Sequence, residues 1–245
     1  GAERRRGRGV GPCTGMSGDN IQANGDIARR SFLAYADAAD PALAAWIAEH
    51  VTFPNSMVDR ITPATTDEDR ALVAERFGID DAWPVMAEPF VQWVLEDEFC
   101  AGRPRFEDAG VQLVDDVEPY ELMKLRLLNA SHQAMAYVGA LSGHTYAHEA
   151  ASDPLIAELL RRYLDEATPS LRPVPGIDLA AYKDTLMERF ANPAIRDTLA
   201  RLCAETSDRI PAFLVPVIRD NLEAGHPVEI AAAVLASWAR YAEGV

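Results

Sequence analysis

Cysteines are scarce in this sequence, and those present are too far apart to form a structural framework. The three, Cys13, Cys100 and Cys203, are odd in number, and no Cys-x-x-Cys pair occurs. Disulfide-rich secreted domains and cysteine-based zinc sites are therefore not predicted.

Long hydrophobic runs are absent as well. No apolar stretch approaches the roughly 20 residues that a helix needs to span a bilayer. The beginning of the sequence also lacks the apolar segment of a secretory signal peptide. We therefore expect a soluble, cytoplasmic protein without a membrane partner.

Basic residues are fewer than acidic residues in this sequence. Lysine and arginine number 23 against 38 aspartates and glutamates, which gives a formal net charge of −15. Nucleic acid is not expected as a partner, because binding to phosphates requires an excess of basic side chains. The one basic stretch, "GAERRRGRGV" (1–10), could be a basic arm, but a short solvated or disordered terminus without a function of its own is expected.

The sequence does contain enough apolar material for a sizeable core, since 49% of its 245 residues are hydrophobic. Up to about residue 118 the signals are mixed. They predict helices over 40–50 and 65–78, a loop over 52–63, and paired strands over 90–97 and 110–117.

From Pro119 onward the pattern is almost wholly helical. The first long helix is predicted for "PYELMKLRLLNASHQAMAYVGALSG", which starts at a proline and ends at a glycine. Further helices are predicted over 145–166, 178–191, 193–204, 208–224 and 227–243. The sequence thus predicts two regions, a mixed α/β region over 1–118 and an α-helical region over 119–245.

The stretch "KLRLLNASH" places Lys124, Asn129 and His132 in an otherwise apolar run. At about 100° per residue, with Lys124 at zero, His132 falls near 80° and Asn129 near 140°, so all three share one side of a helix. Leu125 and Leu128 project into the same arc, which is unusual for a simply solvated face. The spacing allows the three polar groups to converge on one small molecule.

These three residue types suit the chemistry of alcohols and carbonyls. Burial lowers the pKa of a lysine toward neutrality, so that its amine can take a proton from an alcohol. Amide donors stabilise a developing oxyanion, and an imidazole can hold a second hydroxyl. From the spacing alone, a buried structural helix whose lysine extends its ammonium to solvent remains the favoured interpretation.

Four motifs in order carry a resemblance to a known family. They are "SGDNIQANG" (17–25), "FPNSMVDRITP" (53–63), "EPFVQWVLED" (88–97) and the Lys-x4-Asn-x2-His pattern of "KLRLLNASH". The similarity continues through "DRIPAFLVPVIRD" (208–220) and covers nearly the whole chain after about residue 16. The sequence resembles the mannitol dehydrogenase family of long-chain polyol dehydrogenases and uronate reductases.

The resemblance implies a mixed fold and assigns roles to four residues. Residues 1–118 would be the trailing α/β part of a Rossmann-type cofactor domain, followed at 119–245 by a mainly α-helical C-terminal substrate and catalytic domain. Lys124 would be the general base, and Asn20 and Asn129 would form the oxyanion hole. His132 would bind substrate hydroxyls.

Three further residues are implied less directly. Asp59 would lie near the nicotinamide and the substrate, and Asn20 would also contact the cofactor. Arg201 and Arg209 are candidates for substrate contacts through local similarity alone, and for either one a surface ion pair is an equally open interpretation.

The implied activity is an NAD- or NADP-dependent interconversion of a polyol and a ketose, of the mannitol and fructose type, without a metal. A sugar or polyol would then be the small-molecule substrate. One alternative is a fructuronate or tagaturonate reductase, whose substrate carboxylate Arg201 or Arg209 could hold. Another is a truncated, non-catalytic helical domain that binds a partner or a sugar.

The sequence departs from the family pattern in two places. Ser17, Gly18, Asp19 and Asn20 stand where the family usually reads Ser-Cys-Asp-Asn. The strand–turn–helix whose glycine-rich backbone holds a pyrophosphate is expected to be missing from this chain. "GRGVGPCTG" (7–15) follows an arginine run rather than a strand, and it is not predicted to be a dinucleotide-binding loop.

The segment "HTYAH" raises a separate possibility. It places His144 and His148 at i and i+4 with Glu149 beside them, which is compatible with a metal site. Two histidines alone are a weak signal, and the resemblance implies a metal-independent reaction. We therefore expect no metal.

Overall fold

The computed structural model describes residues 1–244, which form two compact units. The α/β unit comprises residues 1–59 and 91–121, and the helical unit comprises residues 60–90 and those from 122 onward. The sequence placed residues 60–90 with the cofactor segment, whereas their contacts group them with the helices. One contact between this segment and the helices is the ion pair between the buried carboxylate of Glu88 and Arg189.

The secondary structure is mostly helical. The α-helices are α1 (Ala2–Gly7), α2 (Asn24–Ala39), α3 (Pro41–His50), α4 (Asp67–Phe77), α5 (Glu118–Met123), α6 (Ala130–Leu141), α7 (Ala147–Ser152), α8 (Pro154–Ala167), α9 (Leu179–Phe190), α10 (Leu199–Leu202), α11 (Thr206–Arg209), α12 (Val215–Ala224) and α13 (Glu229–Ala242). Two π-helical segments, π1 (Lys124–Asn129) and π2 (Ile210–Leu214), and two 3-10 turns, Phe106–Ala109 and Thr168–Ser170, complete the helical elements of the described chain. The strands are β1 (Ser56–Asp59), β2 (Gln92–Glu96) and β3 (Gln112–Val114).

A three-stranded sheet in the order β1-β2-β3 forms the centre of the α/β unit. The strand β2 is antiparallel to β1, with Ser56 opposite Leu95, and parallel to β3, with Val94 opposite Gln112. The predicted pair of strands is confirmed. The loop predicted over 52–63 is wrong at 56–59, because pairing with a strand far away in the sequence makes this short, proline-flanked segment extended.

Most helix starts follow from local sequence. Asp40 and Asp153 each cap a helix whose first residue is a proline. Asp178 caps α9, which begins at Leu179. Thr66 and Asp69 form a capping box at the start of α4, which ends at a left-handed glycine, Gly78. These local signals explain why the predicted helices at 40–50, 65–78 and 178–191 are present.

Three expectations about helices require correction. The segment predicted as one helix over 145–166 forms α7 and α8, because Asp153 and Pro154 end one helix and start the next. Only four residues of the predicted helix 193–204 form α10. The basic opening, expected to be a short solvated or disordered terminus, contains no buried residue in its helix but is not disordered. It forms α1, and its Arg6 pairs with Asp40 at 3.2 Å.

The helix α6 lies at the centre of the helical unit and packs against α8, α10 and α13. Gly139 permits the close approach of α6 to α7 and α10, because a Cβ there would lie 2.8 Å from side-chain atoms of Ala150 and Leu199. The start of α13 has no cap from its own residues. Instead, the buried carboxylate of Glu166 accepts hydrogen bonds from the backbone N–H groups of Ile230 and Ala231, at 2.9 and 2.7 Å.

Among residues 1–244, no helix combines the length and the apolar character needed to cross a membrane.

Candidate active site

Two of the candidate site residues in "KLRLLNASH" lie at the ends of a break in the α-helical geometry. Lys124 and Asn129 are the first and last residues of π1, and the N–H of Ala130 donates to the carbonyl of Leu125, five residues back. In such a turn, residues five apart lie one above the other, as residues four apart do in an α-helix. The angle of 140° calculated for Asn129 is therefore wrong, and Lys124 and Asn129 lie closer to one line along the helix than the sequence predicts.

Both residues are withdrawn from solvent. Lys124 and Asn129 are each 8% exposed, and the leucines between them are buried too. The alternative of a lysine that extends its ammonium to bulk water is therefore not supported. Burial of an ammonium disfavours its charged form, which is the physical requirement for a lysine that accepts a proton.

His132 lies one turn further along, in α6, and is only partly buried. Its imidazole packs against the ring of Phe190 at the end of α9, with ring centroids 4.9 Å apart and planes tilted by 53°. The aromatic contact holds the imidazole beside the turn that carries Lys124 and Asn129. The structure thus groups these three residues within the helical unit.

The two candidate arginines have partners of their own. Arg201 donates from Nε and Nη2 to the two carboxylate oxygens of Asp197, and this hydrogen bonding raises its pKa. Arg209 pairs with Glu205 at 3.3 Å, four residues earlier in the chain. Both arginines are thus in the ion pairs that the sequence left open as the alternative to substrate binding.

Asn20 and Asp59 belong to the α/β unit. Asn20 is exposed, in the loop before α2, and its backbone N–H donates to the side chain of Asp19 at 2.8 Å. Asp59 ends β1 and is 3% exposed. One unit therefore carries Asn20 and Asp59, and the other carries Lys124, Asn129 and His132.

The motifs "SGDNIQANG" and "FPNSMVD" bind each other within the α/β unit. The amide of Asn24 donates to the carbonyl of Ser56 at 2.8 Å and accepts from its N–H at 2.9 Å. Gly25 crosses the backbone so closely that a Cβ would lie 2.4 Å from the carbonyl oxygen of Phe53. These contacts explain why an asparagine and a glycine stand together in the first motif, since they fix the loop of Asn20 on β1.

The start of α2 is not available to a phosphate. Its N–H groups at Gly25 and Asp26 donate to the side-chain oxygen of Asn55, at 2.9 and 3.2 Å, and the N–H of Ala23 donates to Glu121. The glycine-rich segment 7–15 follows α1 rather than a strand. Neither the start of α2 nor the segment 7–15 therefore forms a strand–turn–helix cradle for a diphosphate.

Glu121 is a buried carboxyl that the sequence analysis did not single out. It is 5% exposed, and burial raises its pKa to about 7, although the hydrogen bond from Ala23 acts in the opposite direction. The nearby carboxylates of Glu96, Asp116 and Asp26 raise it further. The sequence offered one signal for this group, because Glu121 precedes Lys124 by one helical turn.

The pKa of Glu121 predicts how stability depends on pH. Between the ordinary value of 4.5 and about 7, the folded chain binds more protons than the unfolded chain, so this carboxyl lowers stability as pH rises through that window. We expect Glu121→Gln to stabilise the chain at pH 8 by of order 2 kcal/mol and to have little effect at pH 4. Urea unfolding at both pH values measures the difference.

The control for that prediction is Glu98→Gln, which neutralises an exposed carboxylate of the same unit. It is expected to change stability little at either pH. A Glu121→Gln variant that is less stable than the wild type at pH 8 would contradict the assigned burial effect.

The histidines of "HTYAH" have structural partners rather than a shared centre. Glu149 accepts from the N–H groups of Thr145 and Tyr146 at the start of α7, and His144 contacts Asp153 at 3.4 Å. His148 stacks on the ring of Tyr146. Within the described part of the chain, no group of three or more His, Cys, Asp or Glu side chains is arranged to hold a metal ion.

Comparison with known proteins identifies two family models in this chain. The mannitol dehydrogenase Rossmann domain matches residues 1–108, and the mannitol dehydrogenase C-terminal domain matches residues 116–245. Mannitol 2-dehydrogenase of Phaeosphaeria nodorum is 50% identical over 246 aligned residues, which are 99% of this chain and 43% of that protein. Mannitol dehydrogenase 2 of Saccharomyces cerevisiae is 48% identical over 241 residues, 97% of this chain and 48% of that protein.

Solved structures give the same result. Mannitol 2-dehydrogenase of Pseudomonas fluorescens, in a ternary complex with NAD and D-mannitol, matches with a TM-score of 0.89 and 50% identity, covering 98% of this chain and 49% of that one. A substrate-free D-sorbitol dehydrogenase matches with a TM-score of 0.91 and 39% identity, covering 98% and 50%. The chain spans about half the length of the curated relatives it matches. With its Rossmann-type α/β part and helical C-terminal domain, the chain belongs to the mannitol dehydrogenase family.

Proposed function

We propose that this chain carries the catalytic residues of an NAD(P)-dependent polyol dehydrogenase that interconverts a polyol and a ketose, of the mannitol and fructose type. The observation that supports this most strongly is the π1 turn. It holds a buried lysine and a buried asparagine at its two ends, with a partly exposed histidine one turn further on. The family membership and the relatives' names agree with this reaction.

In the oxidative direction, Lys124 takes the proton of the secondary alcohol. Because Lys124 is buried, the neutral form of its amine is favoured over the ammonium. Proton transfer by a positioned base accelerates such steps by about 100- to 10,000-fold. The amide of Asn129 donates to the oxygen as negative charge develops. His132 binds a neighbouring hydroxyl and orients the substrate.

The cofactor would supply the hydride acceptor when it is bound. Asn20, exposed at the end of its loop, and Asp59, at the end of β1, provide the polar groups that suit a nicotinamide and its ribose. The N–H donors at the start of α2 are occupied by Asn55. Asn20 and Asp59 therefore suit the nicotinamide end of NAD(P), whereas the start of α2 does not offer its N–H groups to the diphosphate.

The charges favour a neutral polyol over a uronate. A uronate carboxylate would need a cation, and the two arginines considered for that role are already paired, Arg201 with Asp197 and Arg209 with Glu205. Recruiting either one would leave a carboxylate of the protein without its partner. We infer that the substrate is uncharged.

A chimera tests this proposal, because the chain spans only part of its relatives. In this chimera, residues 1–245 replace the matching region of the Phaeosphaeria nodorum relative. We expect NAD(P)-dependent oxidation of D-mannitol and reduction of D-fructose, with D-fructuronate reduced much more slowly. A folded chimera without polyol oxidation would overturn the proposal, and preference for fructuronate would favour the uronate alternative.

A further inference from the structure

A buried ion pair within the helical unit has no role in the proposed chemistry. Glu88 is 1% exposed and Arg189 is 7% exposed, and the guanidinium donates to both carboxylate oxygens, from Nε at 3.0 Å and from Nη2 at 2.7 Å. The carboxylate also accepts from the N–H of Ile61 at 2.6 Å. The guanidinium lies over the ring of Phe90, 3.9 Å from its centroid.

Stability alone is a poor explanation for such a pair. Removing two charges from water costs about as much as their attraction returns, and apolar side chains of similar volume often replace a buried pair without loss. A two-pronged arginine–carboxylate contact does, however, fix the orientation of both side chains. A role in fixing local geometry therefore explains this pair better than stability does.

The pair joins the segment 60–90 to the last turn of α9. The ends of that segment are closed on each other, because the N–H of Glu88 donates to the carbonyl of Ile61 at 3.1 Å, and Arg60 donates to the carbonyl of Glu88 at 2.9 Å. Arg189 therefore connects α9 to a segment whose two ends are hydrogen-bonded to each other. Rotation or sliding of the end of α9 would break both hydrogen bonds of the pair.

The next residue on α9 is Phe190, which is 3% exposed and supports the imidazole of His132. Successive residues of a helix point about 100° apart, so that α9 presents Arg189 to the segment 60–90 and Phe190 to His132. We propose that Glu88 and Arg189 are positioning residues, which fix the end of α9 and thereby the orientation of the His132 imidazole. The importance of this orientation for substrate binding rests on the proposed function.

The test uses NMR of the 245-residue chain, whose five histidines give few and resolvable imidazole signals. The signals lost in His132→Gln are those of the His132 imidazole. The change in their chemical shifts in Phe190→Leu measures the contribution of the aromatic ring. We expect Glu88→Gln and Arg189→Lys each to remove most of the chemical-shift contribution that the Phe190 ring makes to the His132 signals. The signals of His50 and His226 should not move.

Two controls separate positioning from stability. Asp184→Asn removes an exposed ion pair with Arg161 from the same helix, and it should leave the His132 signals in place. The double variant Glu88→Gln/Arg189→Met leaves no unpaired buried charge and should recover stability. We expect it to keep the His132 signals displaced from their wild-type positions, which a merely structural role would not produce. It also serves as the test if a single variant does not fold.

Unchanged His132 signals in a folded Glu88→Gln or double variant would overturn this proposal. The result is independent of catalysis. If these signals respond as expected but the chimera oxidises no polyol, the proposed function fails and the positioning contact stands.

Discussion

Replacing Lys124 by alanine is expected to reduce the rate of polyol oxidation by the chimera at least about 100-fold, because a positioned general base supplies that much or more. The loss should appear mainly in kcat, since an uncharged alcohol binds without the amine. Addition of a small primary amine is expected to restore part of the rate of the Lys124→Ala variant. Initial rates with saturating D-mannitol and cofactor measure the effect.

The chain offers a close control, because Lys124 and Lys183 are its two lysines. Lys183 forms a surface ion pair with Asp165 at 2.6 Å, and Lys183→Ala should leave the rate nearly unchanged. A rate within a few-fold of the wild type for a folded Lys124→Ala variant would remove Lys124 from the mechanism.

Replacing Asn129 by alanine is expected to lower kcat by about 100- to 1000-fold, the range found when one donor to a developing oxyanion is removed. Asn129 is 8% exposed and closes the turn that begins at Lys124, so no water can take its place at low cost. The KM for D-mannitol should change much less, since the charge on oxygen develops only during the reaction. Steady-state kinetics of the chimera separate the two parameters.

Asn192→Ala is the matched control for this prediction. Asn192 uses its side chain to accept from the N–H of Ala194 at 3.0 Å, after the end of α9, and its loss should affect stability more than rate. An Asn129→Ala variant that raises KM with an unchanged kcat would assign Asn129 to ground-state binding instead.

The elements that were predictable from the sequence depend on local signals. The starts of α3 and α9 and the capping box of α4 are determined by residues within a few positions of each helix end. The polar triplet was also visible, because its spacing lies within one continuous helical pattern. The four motifs were enough to identify the family, which the comparisons confirm.

The geometry of the site was less predictable. Nothing in "KLRLLN" distinguishes a π-turn from an α-turn, and the calculated angles therefore misplaced Asn129 relative to Lys124. The strand β1 was missed for a related reason, since only its distant partner β2 makes it extended. Both features depend on tertiary contacts that local propensity does not contain.

Long-range pairs were invisible in the sequence. Glu88 and Arg189 are 101 residues apart, and no spacing rule relates them. The same holds for Glu166, which caps α13 from a distance of 64 residues. The grouping of residues 60–90 with the helical unit includes the first of these contacts, and neither composition nor hydrophobic pattern predicts that grouping.

The most direct test of the central claim, that Lys124 is a base in a buried site, is to titrate its side-chain amine. With 13C-labelled lysine, the 245-residue chain gives two side-chain signals, and Lys183→Arg assigns them. We expect the amine of Lys124 to titrate below the ordinary range of a lysine, because burial disfavours the ammonium. If both amines titrate together near the ordinary value of about 10.4, Lys124 would be protonated at neutral pH and could not be the base.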